Sequence, residues 1–329
     1  MSQKYHIGDM LPTRKLLGDA ISELADMDER VWALSSDCGG NMGTFIQKHK
    51  DRFVDDGIAE QNAAGIAAGL ALSGAVPYIM GMAPFVTMRA FEQNRSAIGY
   101  QNLPVRIVGY VAGMTTGGGS THYAMEDIAV MSAITNMAVL SISDPLLGAE
   151  AIRLGRDYPA PYYLRCGNGK ADPVIYELDS VKLEIGKGIL ARQGSDVTIL
   201  THGVMVKHAM HVADAMREEG IHVEVIDLFT IKPLDSALIC DSVKKTGKVI
   251  VWEDHRTIGG LSTAVADLLI GQKIMPEAFV RVGIPQVYPG FGSDNALYRK
   301  YHMDEESVSQ TIRTLVRTGC GIGCTGETV

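Results

Sequence analysis

The strongest constraint on the fold is an alternation of short β-branched runs with longer amphipathic stretches along the chain. The short runs have the length of buried strands, and the longer stretches repeat their apolar residues at helical spacing. Strands that alternate with helices form mostly parallel sheets, because each helix carries the chain back across the sheet. The sequence therefore predicts an α/β fold.

The alternation breaks once, at 167–188, into Gly, Pro and charged residues that are typical of a linker. We expect two domains, at 1–175 and 191–329, joined by a linker at 176–190, each a mostly parallel sheet flanked by helices. The predicted strands are 31–35, 76–82, 105–111, 138–143, 161–165, 196–203, 221–228, 248–254 and 278–284. The predicted helices cover 16–25 and 208–220, lie between 143 and 161, and begin near Asn62, Phe85, Asp235 and Gly260.

Composition limits the class of partner. A chain of 329 residues with 46% hydrophobic content can bury a large core. Its net charge of −8 argues against a nucleic-acid groove or an anionic membrane surface, since neither attracts an acidic protein. The first residues lack an uninterrupted apolar core, and no stretch is long and uncharged enough to span a bilayer, so a cytoplasmic location is expected.

The five cysteines are too scattered for a disulfide framework, which fits a reducing compartment. Cys320 and Cys324, in CGIGC, have a spacing that a metal site could use. No second pair of ligands stands near them in the sequence, so no metal site is predicted there.

Glu60 is the most conspicuous charged residue. The segment 55–74 begins polar and then becomes a helix of small residues, so Glu60 stands where a loop enters that helix. A carboxylate followed by alanines and glycines is unusual for a surface. The helix dipole alone also favours an acid there, and the segment by itself leaves both interpretations open.

Four motifs occur in order along the chain: GIAEQN at 57–62, MAPFVTMRAFEQNRSAI at 82–98, GGGSTHYAMEDIAVM at 117–131 and VIVWEDHRTIGGLSTAVADLL at 249–269. Together they resemble the transketolase family, and in particular the separate carboxy-terminal subunits of split transketolases. The resemblance covers nearly the whole chain. It implies a pyrimidine-binding domain followed by the transketolase carboxy-terminal domain, with thiamine diphosphate as cofactor.

The resemblance assigns Glu60 a hydrogen bond to the distal ring nitrogen of the cofactor's aminopyrimidine. A buried carboxylic acid can protonate that nitrogen and so promote loss of the thiazolium proton. The expected ylide would attack a ketose carbonyl and hold a two-carbon unit as a carbanion until an aldose accepts it. Met82 and Phe85 would belong to the cofactor wall, although Phe85 could equally be an ordinary core residue.

The resemblance also implies substrate-binding residues. His122, in STH, matches a histidine that hydrogen-bonds substrate oxygen, although loop histidines are more often surface residues. Arg165 matches a phosphate-binding arginine near the end of a strand, with a structural salt bridge as the alternative. Asp37 and Asn41 resemble a sugar-contacting segment, although both residue types also favour turns.

The chain lacks the Gly-Asp-Gly motif through which this family holds magnesium and the diphosphate. Gly8-Asp9-Met10 is too short a match, and the glycines at 117–119 have no acid beside them. The resemblance therefore implies an amino-terminal partner subunit that binds both groups, with two copies of each chain in a heterotetramer. His255 and Arg256 fall in the domain that packs and assembles, so they are left outside the site.

The histidine loop departs from the family, because GGGSTH replaces a longer run that carries two acids. A non-standard ketose, branched or sulfonated, therefore remains open as substrate. Three other functions are alternatives: the β subunit of a 2-oxoacid dehydrogenase first component, a deoxyxylulose phosphate synthase, and a non-catalytic assembly subunit.

Overall fold

The computed structural model describes residues 5–177 and 180–318, and the chain divides into two compact units. The first unit contains the residues up to 112 together with Val130–Ile185. The second contains Gly113–Ala129 and the residues from 186 onward. Gly113–Ala129 thus belongs to the second unit, although in sequence it lies within the first.

The first unit is built on parallel strands, in the order β6-β7-β5-β4-β2-β3. These strands are β2 (Val31–Ser35), β3 (Phe53–Asp55), β4 (Val76–Met82), β5 (Arg106–Tyr110), β6 (Ala138–Ser141) and β7 (Tyr162–Arg165). A short antiparallel pair is formed by β1 (Met10–Leu11) and β8 (Asp172–Pro173). The helices are α1 (Thr13–Met27), α2 (Gly43–Lys48), α3 (Glu60–Leu72), α4 (Phe91–Gln93) and α6 (Pro145–Gly155), while α5 (Asp127–Ala133) begins in the second unit.

The second unit contains a five-stranded sheet in the order β14-β13-β10-β11-β9, parallel except for β9. Its strands are β9 (Ile189–Arg192), β10 (Val197–Thr201), β11 (Val223–Asp227), β13 (Lys248–Arg256) and β14 (Ala278–Ile284). The short strand β12 (Thr230–Lys232) lies outside this five-stranded sheet. The helices of this unit are α7 (Met205–Glu218), α8 (Ser236–Thr246), α9 (Leu261–Gly271), α10 (Asp294–Lys300) and α11 (Glu305–Thr318). Met114, Tyr123 and Met125 belong to its apolar core, so Gly113–Ala129 is an integral part of this unit.

The structure confirms the α/β fold and all the predicted strands. Most of these strands are buried along nearly their whole length, as parallel strands covered on both faces must be, and their apolar runs therefore stand out in the sequence. The predicted helix near Asn62 begins two residues earlier, at Glu60. The predicted helix at Phe85 is broken into π-helical turns, Phe85–Arg89 and Asn94–Gly99, on either side of α4. Within the described residues, no helix is both long and apolar enough to cross a membrane.

Candidate active site

Glu60 is the first residue of α3 and is only 5% exposed. The small residues that follow it, among them Ala63, Ala64 and Ala67, are buried and let the helix pack closely against its neighbours. Glu60 is therefore an enclosed acid rather than a surface residue.

Phe85 and Arg89 begin and end the π-helical turn that follows β4. Because they are four residues apart in a helical segment, their side chains lie on one face. The Cζ atom of Arg89 is 4.0 Å from the centroid of the Phe85 ring. Nη1 of Arg89 donates a hydrogen bond to Oε2 of Glu60 at 2.9 Å. Glu60 and Phe85 thus both contact the guanidinium of Arg89. The sequence assigns no role to Arg89, and its spacing of four residues from Phe85 is the one sequence signal that points to it.

The other predicted residues of the first unit lie at the carboxyl ends of its parallel strands. Asp37 stands two residues after β2, Met82 is the last residue of β4, and Arg165 is the last residue of β7. These ends share one edge of the sheet, which is where α/β proteins bind ligands. Asp37 and Val111 at this edge have positive φ values of 54° and 62°. For a β-branched residue such as Val111 this conformation is strained, and such strain is concentrated at functional sites.

Asp37 is linked to the loop that leads to Glu60. Its backbone N–H donates to Oδ1 of Asp55 at 3.4 Å, and the hydroxyl of the preceding Ser36 donates to Oδ1 of Asp56 at 2.9 Å. The segment after β2 and the loop before α3 therefore support one another.

The side chains of Asn41, Tyr110 and Cys38 lie together at this edge of the sheet. Burial raises the pKa of Cys38 and also that of Tyr110, which the neighbouring thiol raises further, so both groups stay protonated at neutral pH. The backbone of Met82 also lies beside the thiol of Cys38. A Cβ atom on Gly18 would lie 2.0 Å from the carbonyl oxygen of Asn41, so α1 reaches this turn only because position 18 is glycine.

Arg165 is only 1% exposed and pairs across the sheet with Gly109 of β5 and Ser141 of β6. An enclosed guanidinium needs acceptors, because burying a charge without them is costly. Phosphate binding by Arg165 stays a prediction.

His122 lies in the second unit, within Gly113–Ala129. Its Nδ1 atom is 2.9 Å from Oγ1 of Thr121, and a Cβ atom on Gly118 would lie 2.8 Å from its own Cβ. Gly118 therefore gives this histidine room to fold back over the loop. Its contact with substrate stays a prediction.

Side chains of β13 hold the segment that carries His122. The N–H of Met114 donates to both carboxylate oxygens of Asp254, at 3.2 and 3.3 Å. Nε of Arg256 donates to Oε1 of Glu126 at 2.7 Å. Position 113 must be glycine here, since a Cβ atom would lie 1.8 Å from Oδ2 of Asp254.

His255 and Arg256, which the sequence leaves outside the site, contact the segment that carries His122 in this structure. Nε2 of His255 accepts from the N–H of Ala129 at 3.4 Å, and the N–H of Arg256 donates to the carbonyl of Met125 at 3.0 Å. Both residues hold the histidine segment, and no sequence signal connects positions so far apart along the chain.

Within residues 5–177 and 180–318, no three His, Cys, Asp or Glu side chains cluster as metal ligands would. Cys320 and Cys324 lie outside these described residues.

Known protein families match both halves of the chain. The transketolase pyrimidine-binding domain matches residues 9–171, and the transketolase C-terminal domain matches residues 186–308. One subunit of an apulose-4-phosphate transketolase from Phocaeicola vulgatus is 33% identical over 312 residues, which are 94% of this chain and 99% of that protein. The chain belongs to the transketolase family.

Two further proteins are similar to this chain over most of its length. A 6-deoxy-6-sulfo-D-fructose transketolase subunit from a Clostridium species is 33% identical, over 88% of this chain and 90% of that protein. A solved split-gene transketolase, described as an inactive beta4 tetramer, superposes with a TM-score of 0.85 at 32% identity. That match covers 94% of this chain and all of the solved chain.

Proposed function

We propose that this chain is the catalytic half of a split transketolase, which moves a two-carbon ketol unit from a ketose phosphate to an aldose. The observation that carries the proposal is the meeting of Glu60 and Phe85. One planar, nitrogen-bearing group, the guanidinium of Arg89, satisfies both residues at once. The aminopyrimidine of thiamine diphosphate is also planar and carries nitrogen at its edge, so these residues fit it.

Thiamine diphosphate supplies, when bound, the carbon nucleophile and the electron sink that ketol transfer requires. Glu60 holds a proton at the distal pyrimidine nitrogen, and its enclosure keeps water from competing for that bond. Phe85 supports the ring face through its own flat surface, and Met82 completes this wall at the end of β4.

Four further residues bind the substrate. His122 forms a hydrogen bond with the substrate oxygen whose charge changes when the carbon-carbon bond is cleaved. Arg165 binds the anionic end of the sugar, because a guanidinium matches the geometry of phosphate. Asp37 and Asn41, at the carboxyl edge of the first unit's sheet, bind sugar hydroxyls.

A partner subunit holds the diphosphate and a magnesium ion, in a heterotetramer with two copies of each chain. This proposal is supported by the relatives, which are named as a transketolase subunit or as a split-gene product. It is also supported by Ile58, a large apolar side chain that is 72% exposed only two residues before the enclosed Glu60. A covering chain would remove that surface from water.

The donor has an anionic group at one end, either phosphate or sulfonate, and the sugar is not fixed to the common pentose phosphates. The two relatives named after their sugars are transketolase subunits for apulose 4-phosphate and for 6-deoxy-6-sulfofructose, so unusual ketoses occur among relatives of this chain.

The test is reconstitution with the product of the adjacent gene. The two chains are co-expressed, supplied with thiamine diphosphate and magnesium, and assayed with phosphorylated, branched and sulfonated ketoses against aldose acceptors. We expect ketol transfer from the complex and none from this chain alone. Transfer by this chain alone would refute the split site, and 2-oxoacid decarboxylation without ketol transfer would point to a dehydrogenase component.

Replacement Glu60→Gln tests the assigned acid within the same complex. The amide preserves size but removes the ionisable proton, so turnover should fall by about 100-fold or more while assembly is unchanged. The matched control is Glu218→Gln, at an exposed position of α7, which should retain full activity. Near-normal turnover of the Glu60 variant would remove this residue from its role.

A further inference from the structure

Arg89 makes two contacts that belong to different elements. Its Nη1 atom donates to Oε2 of Glu60 at 2.9 Å, and its Cζ atom lies 4.0 Å from the centroid of the Phe85 ring. The side chain of Glu60 is 5% exposed, whereas that of Arg89 is 41% exposed. The guanidinium therefore covers an enclosed carboxylate from a position that solvent can still reach.

These contacts are the ones that the proposed function gives to the cofactor's aminopyrimidine. A guanidinium and an aminopyrimidine are both planar, both present nitrogen atoms at the edge, and both stack on an aromatic face. A group that takes the ring face and the carboxylate oxygen contacted by Arg89 must displace the guanidinium. We propose that Arg89 is a placeholder that occupies the aminopyrimidine position in the cofactor-free chain and leaves it when thiamine diphosphate binds. This inference rests on the proposed function.

The cost of burying the Glu60 carboxylate explains why Arg89 would occupy this position. A carboxylate as enclosed as Glu60 is costly to leave without a partner, and Arg89 supplies one until the cofactor arrives. The long, half-exposed side chain of Arg89 can turn outward into water, where its charge is well solvated. Binding then exchanges one partner of Glu60 for another. The free energy of the broken ion pair with Arg89 weakens the binding free energy of the cofactor by the same amount.

The test measures cofactor affinity rather than activity. Thiamine diphosphate with magnesium is titrated into the reconstituted complex by calorimetry, with no sugar present, for the wild type and Arg89→Met. Methionine keeps an unbranched apolar side chain but cannot pair with Glu60, so we expect Kd to fall by up to about fivefold, the ratio that corresponds to loss of one partly exposed competing ion pair. Arg95→Met, at an exposed arginine of the same segment that pairs with Glu92, is the control and should leave Kd unchanged.

A second measurement uses the cofactor-free chain by itself. Thermal unfolding of wild type, Arg89→Met, Glu60→Gln and the double variant forms a cycle. We expect the single Arg89 variant to unfold at lower temperature and the double variant to recover most of that loss, because the amide that replaces the carboxylate needs no countercharge. If Arg89→Met does not fold, Arg89→Lys keeps the charge without the planar stack and should give a smaller gain in affinity.

The outcomes separate the two proposals. If the wild-type complex does not bind thiamine diphosphate, the proposed function fails and the placeholder fails with it. If the wild type binds but Arg89→Met binds equally or more weakly, only the placeholder is overturned, and Arg89 is then a residue that stays to support Glu60. Additive effects in the unfolding cycle would likewise overturn it.

Discussion

Asp56 and Glu60 are neighbouring acids with different surroundings. Glu60 is paired with Arg89, whereas Oδ2 of Asp56 is buried and has no hydrogen-bond partner among the described residues. Burial raises the pKa of Asp56; the hydrogen bond from Ser36 opposes this, and the negative charges of Asp55 and Glu60 add to it. Folding thus favours the protonated form of Asp56.

Replacement Asp56→Asn should raise stability more at pH 7 than at pH 4. The unfolded carboxyl ionises near its usual pKa of about 3.9, whereas the folded carboxyl holds its proton to higher pH. The wild type therefore loses stability as pH rises from the unfolded pKa to the folded pKa. We expect a gain of about 1 kcal/mol or less at pH 7, measured by urea unfolding. Asp51→Asn, at an exposed position, is the control, and an equal effect at both pH values would contradict the prediction.

The start of α9 shows how an element depends on one buried acid. Oε2 of Glu253 accepts from the N–H of Leu261 at 2.7 Å, and Oε1 accepts from the N–H of Ser262 at 2.9 Å. Gly260 allows this approach, since a Cβ atom there would lie 2.1 Å from Oε2. Burial opposes ionisation of Glu253, but its interactions with His202, His255 and Ser262 outweigh burial and lower the pKa of this carboxyl.

Replacement Glu253→Gln should destabilise the protein by about 2 to 3 kcal/mol at pH 7, because an amide cannot accept at both atoms. A depressed folded pKa contributes stability above about pH 4.3, which is lost as pH falls through the folded value. The penalty should therefore shrink in acid, as followed by urea unfolding from pH 7 to pH 3. Glu277→Gln, at an exposed carboxylate that pairs with Lys248, should change stability little at either pH. A loss of stability that is the same at pH 7 and pH 3 would be evidence against an ionised Glu253 at the start of α9.

The segment Gly113–Ala129 depends on Arg256. Besides Glu126, this side chain donates from Nη1 to the carbonyls of Pro285 and Val287, each at 2.9 Å. Replacement Arg256→Met should therefore speed hydrogen–deuterium exchange within 113–129 and leave exchange in α3 unchanged. Arg313→Met, which breaks an ion pair with Glu219 on other helices, is the control. Unchanged exchange in 113–129 would show that its apolar core residues hold this segment without Arg256.

The whole molecule combines two α/β units with exposed apolar side chains in each. Ile58 precedes the enclosed Glu60 in the first unit, while Tyr288 and Phe291 of the second are 80% and 83% exposed. Phe291 also lies against Gly119 of the histidine segment. Large exposed side chains beside residues of a proposed site are typical of surfaces that another chain covers.

Light scattering after size-exclusion chromatography should give the mass of two copies of this chain and two of its partner. Replacement Ile58→Asp should lower the yield of this complex, because a charge would be buried at the interface. Leu72→Asp, at a similarly exposed position at the end of α3, is the control for the charge itself. A complex with one copy of each chain, or one that is indifferent to the Ile58 change, would contradict this arrangement.

The sequence by itself determined the longer buried strands, the α/β class and the position of Glu60 at a helix start, but not the short strands such as β3 and β9. These features follow from local patterns, since apolar runs and small-residue helices depend on neighbours within a few positions. Only the tertiary structure placed Gly113–Ala129 with the second unit, paired Arg89 with Glu60 and set Glu253 under α9. Each of these features depends on which distant segments pack together. The residue that pairs with a buried charge is therefore decided by tertiary packing, which spacing along the chain does not reveal.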